Sequence, residues 1–416
     1  MRYRVESDLP AQRHAGENPR AKPLPMRPQA DPQHAMTAPE PSAPQKRGQF
    51  AGRVAHQQTY LECPDARVVR ARRFCGVVRA ASSLSTMVLD PALLDWLLDT
   101  DPALRWQVER DLMGAPPELW GATRARISTE GFGAQLLALQ DPDGQWAGGA
   151  YFPGGFDFGG PEAAEAAGQP WTATTWMLNT LREWGLDAAA LAGTADLLAA
   201  NSRWEYDNLP YWGGEVDCCI NAYTLANGGW LGVDVSGIAQ WFLDHQMADG
   251  GWNCEWVEGS TRSSFHSTLN SLDGLLYYEA AIRGDDSLRA VRRAGEEYLL
   301  ERRLLRTLST GELVGPWVTR FAYPFRWFYS VLHAAEYFRA AALHDGIAPD
   351  PRLAEAIDVI RAARRPDGTW LQERRHPGRV WFEVDVPPGE PSKWLTFYGT
   401  RVLAWWDGAN RAEIDR

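Results

Sequence analysis

Beyond position 87 the hydrophobic residues fall in helical runs broken by Gly and Pro, and no segment alternates convincingly with the period of two that a strand requires. The pattern opens at Met87 with Val-Leu-Asp-Pro-Ala-Leu-Leu-Asp-Trp-Leu-Leu. Asp90-Pro91 and Asp101-Pro102 each pair a capping side chain with Pro at the first helical position. A leading helical pair is expected from Pro91 to about Glu118. More apolar helices are then expected at Trp171–Trp184, Cys218–Leu231, His266–Ile282, Trp327–Ala342 and Trp394–Trp406. The chain reads as all-α.

Between these helices one turn recurs: Gln140-Asp-Pro-Asp-Gly-Gln-Trp146, Gln246-Met-Ala-Asp-Gly-Gly-Trp252 and Arg364-Arg-Pro-Asp-Gly-Thr-Trp370. The tryptophans are 106 and 118 residues apart, room for two helical hairpins of roughly 50 residues each. Gly supplies the positive φ of the turn, and the Trp can plug the space between helices. Asp143, Asp249 and Asp367 are expected to shape these turns. Each repeat unit therefore reads as a helix, a turn ending in an aromatic, an irregular loop and a second, more apolar helix.

The Gln-x-x-Asp-Gly-x-Trp turns resemble the QW repeat of squalene and oxidosqualene cyclases and the glycine-rich repeat of protein prenyltransferase β-subunits, over residues 90–408. The resemblance implies a single α/α toroid spanning 87–416, with inner helices around an apolar central cavity. It makes Trp146, Trp252 and Trp370 architectural rather than catalytic.

Charge divides the chain. Residues 1–86 hold 14 Lys and Arg against 7 Asp and Glu, and the remainder 28 against 46. The first segment is Pro-rich and without period, which predicts a disordered arm, and the change of pattern at Met87 suggests that translation begins there. The net charge of −11 argues against nucleic acid as a general partner, because phosphate binding draws on Lys and Arg. No apolar run reaches the roughly 18 residues of a membrane span and no signal peptide opens the chain, so the expectation is a cytoplasmic protein. The five cysteines, an odd number without an export signal, point to thiols or metal ligands rather than a disulfide framework. The 20 Trp suffice to line a cavity suited to an apolar ligand.

Candidate chemistry follows from the repeat register. Asp217-Cys-Cys-Ile-Asn221 superposes on His266-Ser-Thr-Leu-Asn270, 49 residues later, so in a toroid Asp217, Cys219 and His266 converge at one cavity mouth. Carboxylate, thiolate and imidazole with a fourth position open suit a catalytic Zn²⁺. Val216-Asp-Cys-Cys219 and Ser264-Phe-His266 are similar to the Asp-x-Cys and His of prenyltransferase β-subunits. That likeness implies a zinc-dependent, prenyltransferase-like enzyme that activates a thiol toward an isoprenoid-like substrate, with a separate protein partner possible. Cys218 is an alternative ligand and Cys254 a weaker candidate. The family's basic residues before the Asp-x-Cys are missing from Trp204–Val216; Arg320, Arg326 and His333 are candidates to supply that charge from elsewhere. The Asp-x-Asp-Asp acid of squalene-hopene-type cyclases is also missing, and Gly284-Asp285-Asp286 lies in an expected exposed turn. A terpene cyclase with a non-standard acid therefore stays open, with Asp273 (or Asp217) as proton donor and Tyr223 as a cation-stabilising aromatic. A toroid that binds lipid or protein without catalysis is the third expectation, and a carbohydrate-active α-barrel the fourth.

Overall fold

Helix starts follow the capping residues. Asp90 and Asp101 each accept a backbone N–H two residues on, at 2.9 Å, and open α1 (Pro91–Leu98) and α2 (Pro102–Asp111). The computed structural model describes residues 89–164, 167–282 and 284–414, with side chains to 409. The arm 1–86, Cys63, Cys75 and the expected start at Met87 lie outside the described residues. The helices continue as α3 (Pro117–Ala125), α4 (Gly131–Ala138), α5 (Thr174–Glu183), α6 (Thr194–Asn201), α7 (Cys218–Leu231), α8 (Ser236–Asp244), α9 (Phe265–Ile282), α10 (Asp286–Glu301), α11 (Val331–Asp345), α12 (Ala354–Ala362) and α13 (Lys393–Ile414). The fold is mostly helical. Strand structure among the described residues includes the two-residue antiparallel pair β1 (Trp370–Leu371) and β2 (Pro391–Ser392), which closes the loop ahead of α13 and was not visible as alternation.

The recurrent turn is built the same way three times. Trp146, Trp252 and Trp370 are fully buried. Each indole N–H donates to the carbonyl ten residues earlier, those of Leu136, Phe242 and Ile360, at 2.8, 3.2 and 2.9 Å. Each Trp backbone N–H donates to a threonine hydroxyl on the next apolar helix, Thr174, Thr268 or Thr396, at 3.1, 3.2 and 3.0 Å. Gly144, Gly250 and Gly368 hold φ of 89°, 93° and 85°, which a side chain would strain. Asp143 and Asp367 accept the backbone N–H two residues on, as turn-shaping carboxylates do, whereas Asp249 accepts the N–H of Ser263 in the loop beyond the turn. One motif thus fastens the preceding helix to the following one in each unit.

Apolar burial selects the inner partners. α5 packs on α7, α7 on α9, α9 on α11, α11 on α13, and α13 against α2. α7 and α9 approach closely because Gly274 lacks a side chain: a Cβ there would stand 2.5 Å from the Ala222 carbonyl oxygen. α10, α8 and α12 pack behind them, α10 on α8 and α9, and α12 on α11 and α13. Where α9, α10 and α11 meet, the fully buried Arg292 is enclosed by carboxylates: Glu279 at 2.8 and 3.2 Å, Glu296 at 2.6 Å and Asp345 at 2.9 and 3.0 Å. Tyr337 Oη donates to Glu296 at 2.8 Å.

Candidate functional site

α7 starts at Cys218, so Cys218 and Cys219 occupy its first turn, beside backbone N–H groups that favour negative charge. The chain beyond Trp252 folds into a short 3₁₀ turn, Cys254–Glu258, capped by Asn253, and Ser267 Oγ accepts the Cys254 N–H at 3.2 Å. This brings the Cys254 sulfur within 3.4 Å of Cys218 Sγ and 3.2 Å of Cys219 Sγ. All three thiols are free, and their sulfurs lie within 4.8 Å of one another. Cys219 differs from Cys218 in the direction of its pKa shift. Hydrogen bonds from Cys218 and then Cys254 hold its thiol well below the usual range against the opposing effect of burial, whereas burial pushes Cys218 up. Asn270 of α9 approaches Cys219 Sγ with Nδ2 at 3.6 Å and accepts the Tyr223 hydroxyl on Oδ1 at 2.8 Å.

Asn270 and Tyr223 are also part of a cavity wall. The cavity, about 330 Å³, is lined by α5, α7, α9, α11 and α13, with Tyr223, Tyr277, Phe325, Tyr337 and Tyr398 as its aromatic surface. On that wall His333 Nε2 meets Asp273 Oδ2 at 3.1 Å, and the imidazole stacks on Phe325 at 4.4 Å. Burial works against the imidazolium, but the hydrogen bond and charge of Asp273 outweigh it, so the His333 pKa is raised. Arg326 holds a left-handed φ of 54°, a backbone cost on the order of 1 kcal/mol or more. Its guanidinium lies 5.0 Å over Trp171, and burial lowers its pKa to about 10.

A second chamber of about 560 Å³ adjoins the first, sharing Arg182, Glu183, Tyr277, Glu336, Tyr398 and Arg401 and extending to α2 and α3 through Trp106, Arg110, Trp120 and Arg124. Glu183 is exposed to this space, and the desolvation it feels from the surrounding protein raises its pKa.

The sequence-predicted residues separate into three places. Of Asp217, Cys219 and His266, Cys219 alone belongs to a group of three donor residues whose ligand atoms lie within 4.8 Å among the described residues, and its companions are Cys218 and Cys254. Asp217 is half-buried just ahead of α7, near enough for its charge to act on Cys219. His266 is instead packed among aromatic rings, with Trp317 at 4.5 Å and Trp327 at 5.6 Å, and burial lowers its pKa to about 3. Asp273, Tyr223, Arg326 and His333 come together on the cavity wall. Of the other acids, Asp285 caps α10 through the Ser287 and Leu288 N–H groups, Glu383 pairs with Arg375, and Asp385 accepts the Ser392 hydroxyl at 2.6 Å. Sequence reasoning missed Arg182 and Glu183, which read as an ordinary charged helix end.

No family model matches the chain, and no curated protein matches it. Among solved structures the chain is similar to a protein from Actinoplanes, at 18% identity over 75% of this chain and 90% of that one, with a TM-score of 0.36; a likeness of that size carries no argument.

Proposed function

We propose that this chain is a zinc-dependent enzyme built as an α/α toroid, acting on an apolar, isoprenoid-like substrate in its central cavity, with Cys218, Cys219 and Cys254 holding the metal. The observation that carries the reading is the convergence of three cysteine sulfurs one hydrogen-bonded side chain, Asn270, away from an aromatic-lined cavity. The succession α5, α7, α9, α11 and α13 around that cavity, with α2 packed on α13 beside the adjoining chamber, supports the toroid.

The donor set fits zinc. Tetrahedral Zn–S bonds of about 2.3 Å set sulfurs roughly 3.8 Å apart, close to the 3.2 and 3.4 Å separations here. The start of α7 favours thiolates, and Asn270 offers an N–H to Cys219. Three protein ligands leave a fourth position for Asp217, water or a substrate thiol, the pattern of catalytic rather than structural zinc. When bound, the metal would hold a thiol as thiolate or polarise the substrate. The protein's own part is to exclude water and to orient an apolar chain against Tyr223, Phe325 and Tyr398.

A second reading rests on the Asp273–His333 pair: a terpene cyclase-like enzyme in which this pair supplies the proton and the tyrosine faces stabilise the cation. Elemental mass spectrometry of the purified chain, with Cys219→Ser and Cys254→Ser variants, tests the first reading. The expected result is about one zinc per chain, lost in both variants while helicity by circular dichroism persists. A chain that holds no metal and takes up none on adding Zn²⁺ removes it, and polyprene conversion that depends on Asp273 would then favour the second.

A further inference from the structure

We propose that the chamber between α2, α3, α5, α11 and α13 binds the anionic head of an amphipathic small molecule, a phosphate or carboxylate on an apolar tail, with Arg182 as the receiving side chain and the tail lying in the adjoining aromatic cavity. This rests on the reading of the cavity as a substrate site and is independent of the cysteine centre.

Five arginines line the chamber, and four have hydrogen-bond acceptors within the protein. Arg110 is held by Asp111 at 2.5 and 2.9 Å and Arg339 by Glu336 at 2.7 and 2.9 Å. Arg401 bridges Glu336 and Asp111, and Arg124 donates to the Gly185 carbonyl at 2.6 Å. Arg182 differs: its Nε and Nη1 are buried with no hydrogen-bond partner among the described residues, while its guanidinium carbon lies 4.2 Å from the centre of the Tyr277 ring. Buried donors left unmade are costly, and a guanidinium fork matches two oxygens of a phosphate or carboxylate. In a chain of net charge −11, a guanidinium left without an acceptor is a local exception that favours an anion where the surface repels one.

The same geometry sets the ligand's direction. Along α7, Trp230 faces the chamber and Tyr223 the aromatic cavity, and Cys219 starts the helix. Eleven residues separate Cys219 from Trp230, about 16 Å at the α-helical rise. Asn270 and Ala281 on α9 repeat that spacing. An anion anchored at Arg182 therefore presents the far end of its tail, not its head, to Asp273, His333 and the cysteine trio. This ordering is the reverse of a site where the charged group sits at the metal.

Isothermal titration of the full chain with decyl phosphate and with decanoate, below their critical micelle concentrations, tests the proposal against decanol and inorganic phosphate. Decyl phosphate or decanoate should bind at least tenfold more tightly than decanol or inorganic phosphate, and the affinity should fall with added NaCl. Arg182→Gln should weaken binding about tenfold or more, with Arg182→Lys between. The proposal is overturned if decanol binds as well as decyl phosphate, or if Arg182→Gln, folded by circular dichroism, binds like the wild type. Should Arg182→Gln not fold, salt-insensitive binding to the wild-type chain overturns it equally. Binding that survives EDTA supports the chamber apart from zinc, whereas binding abolished by EDTA places the anion on the metal and also overturns it.

Discussion

Among the described residues, two groups of side chains have donor atoms close enough together to hold a cation, and they have opposite fates. Glu279, His344 and Asp345 gather at the junction of α9, α10 and α11, where the Arg292 guanidinium already binds Glu279 and Asp345. Cys218, Cys219 and Cys254 gather at the start of α7 with no cationic side chain among their hydrogen-bond partners in the described residues. The first cluster is complete: an internal cation neutralises buried acids, so it reads as structure. The second is three soft donors beside a cavity, so it reads as a site. Proximity of ligand-type residues does not separate the two cases; the presence of a built-in counter-charge does.

Removing that counter-charge should have the largest effect. Arg292→Met leaves Glu279, Glu296 and Asp345 buried together, and stability by chemical denaturation should fall by about 3–5 kcal/mol. A loss under about 1 kcal/mol would mean the network does not close the cluster as argued. The cysteine centre should respond to the metal instead. EDTA should lower the wild-type melting temperature yet leave Cys254→Ser unmoved, and equal shifts in both would erase the contrast.

Smaller effects come from titrating groups near the cavity. His333 faces Asp273 and Glu183, which hold its pKa above 6.5, so its stabilising contribution is full below that value and is lost as pH rises through the native pKa. Asp273→Asn should lower the imidazole pKa, read by NMR of labelled histidine, because burial still acts on the ring while the hydrogen bond and charge of Asp273 no longer oppose it. The stability gap between wild type and variant should narrow toward alkaline pH. Asp385 has the same sign in a lower pH window. Burial raises its pKa to about 6 despite the Ser392 hydrogen bond, so stability falls as pH rises from the ordinary carboxylate range to that value. Asp385→Asn should remove this slope and gain roughly 1–2 kcal/mol at neutral pH; a steeper slope in thermal melts would refute it.

The three turns and the span of α7 were legible in the sequence because Gly, Trp and the capping residues act locally. The start of α11 was not. Trp327-Phe-Tyr reads as a continuing apolar helix, but Arg326 takes a left-handed φ and the Ser330 hydroxyl accepts the His333 N–H at 3.2 Å, so the helix begins at Val331. Site legibility follows the same rule. Register alignment drew attention to Asp217, Cys219 and His266, all at helix starts, but Cys254 reaches Cys219 through an irregular 3₁₀ turn that carries no period. His266 is claimed by aromatic rings from a loop some 50 residues further along the chain. Arg182 could not be found from sequence at all, because its distinction is the partner it lacks.

The tryptophan fastening also defines what this architecture leaves free to change. The indole always reaches back ten residues, but the stretch between each Trp and its threonine varies: 28, 16 and 26 positions. Two fixed anchor points therefore flank a segment of unconstrained length, and all three segments emerge at the leading ends of α5, α9 and α13. One of them delivers Cys254, another His376 and Asp385. Such segments behave as interchangeable cassettes on a constant frame, so exchanging one between homologous chains should alter what the cavity accepts without disturbing how the helices hold together.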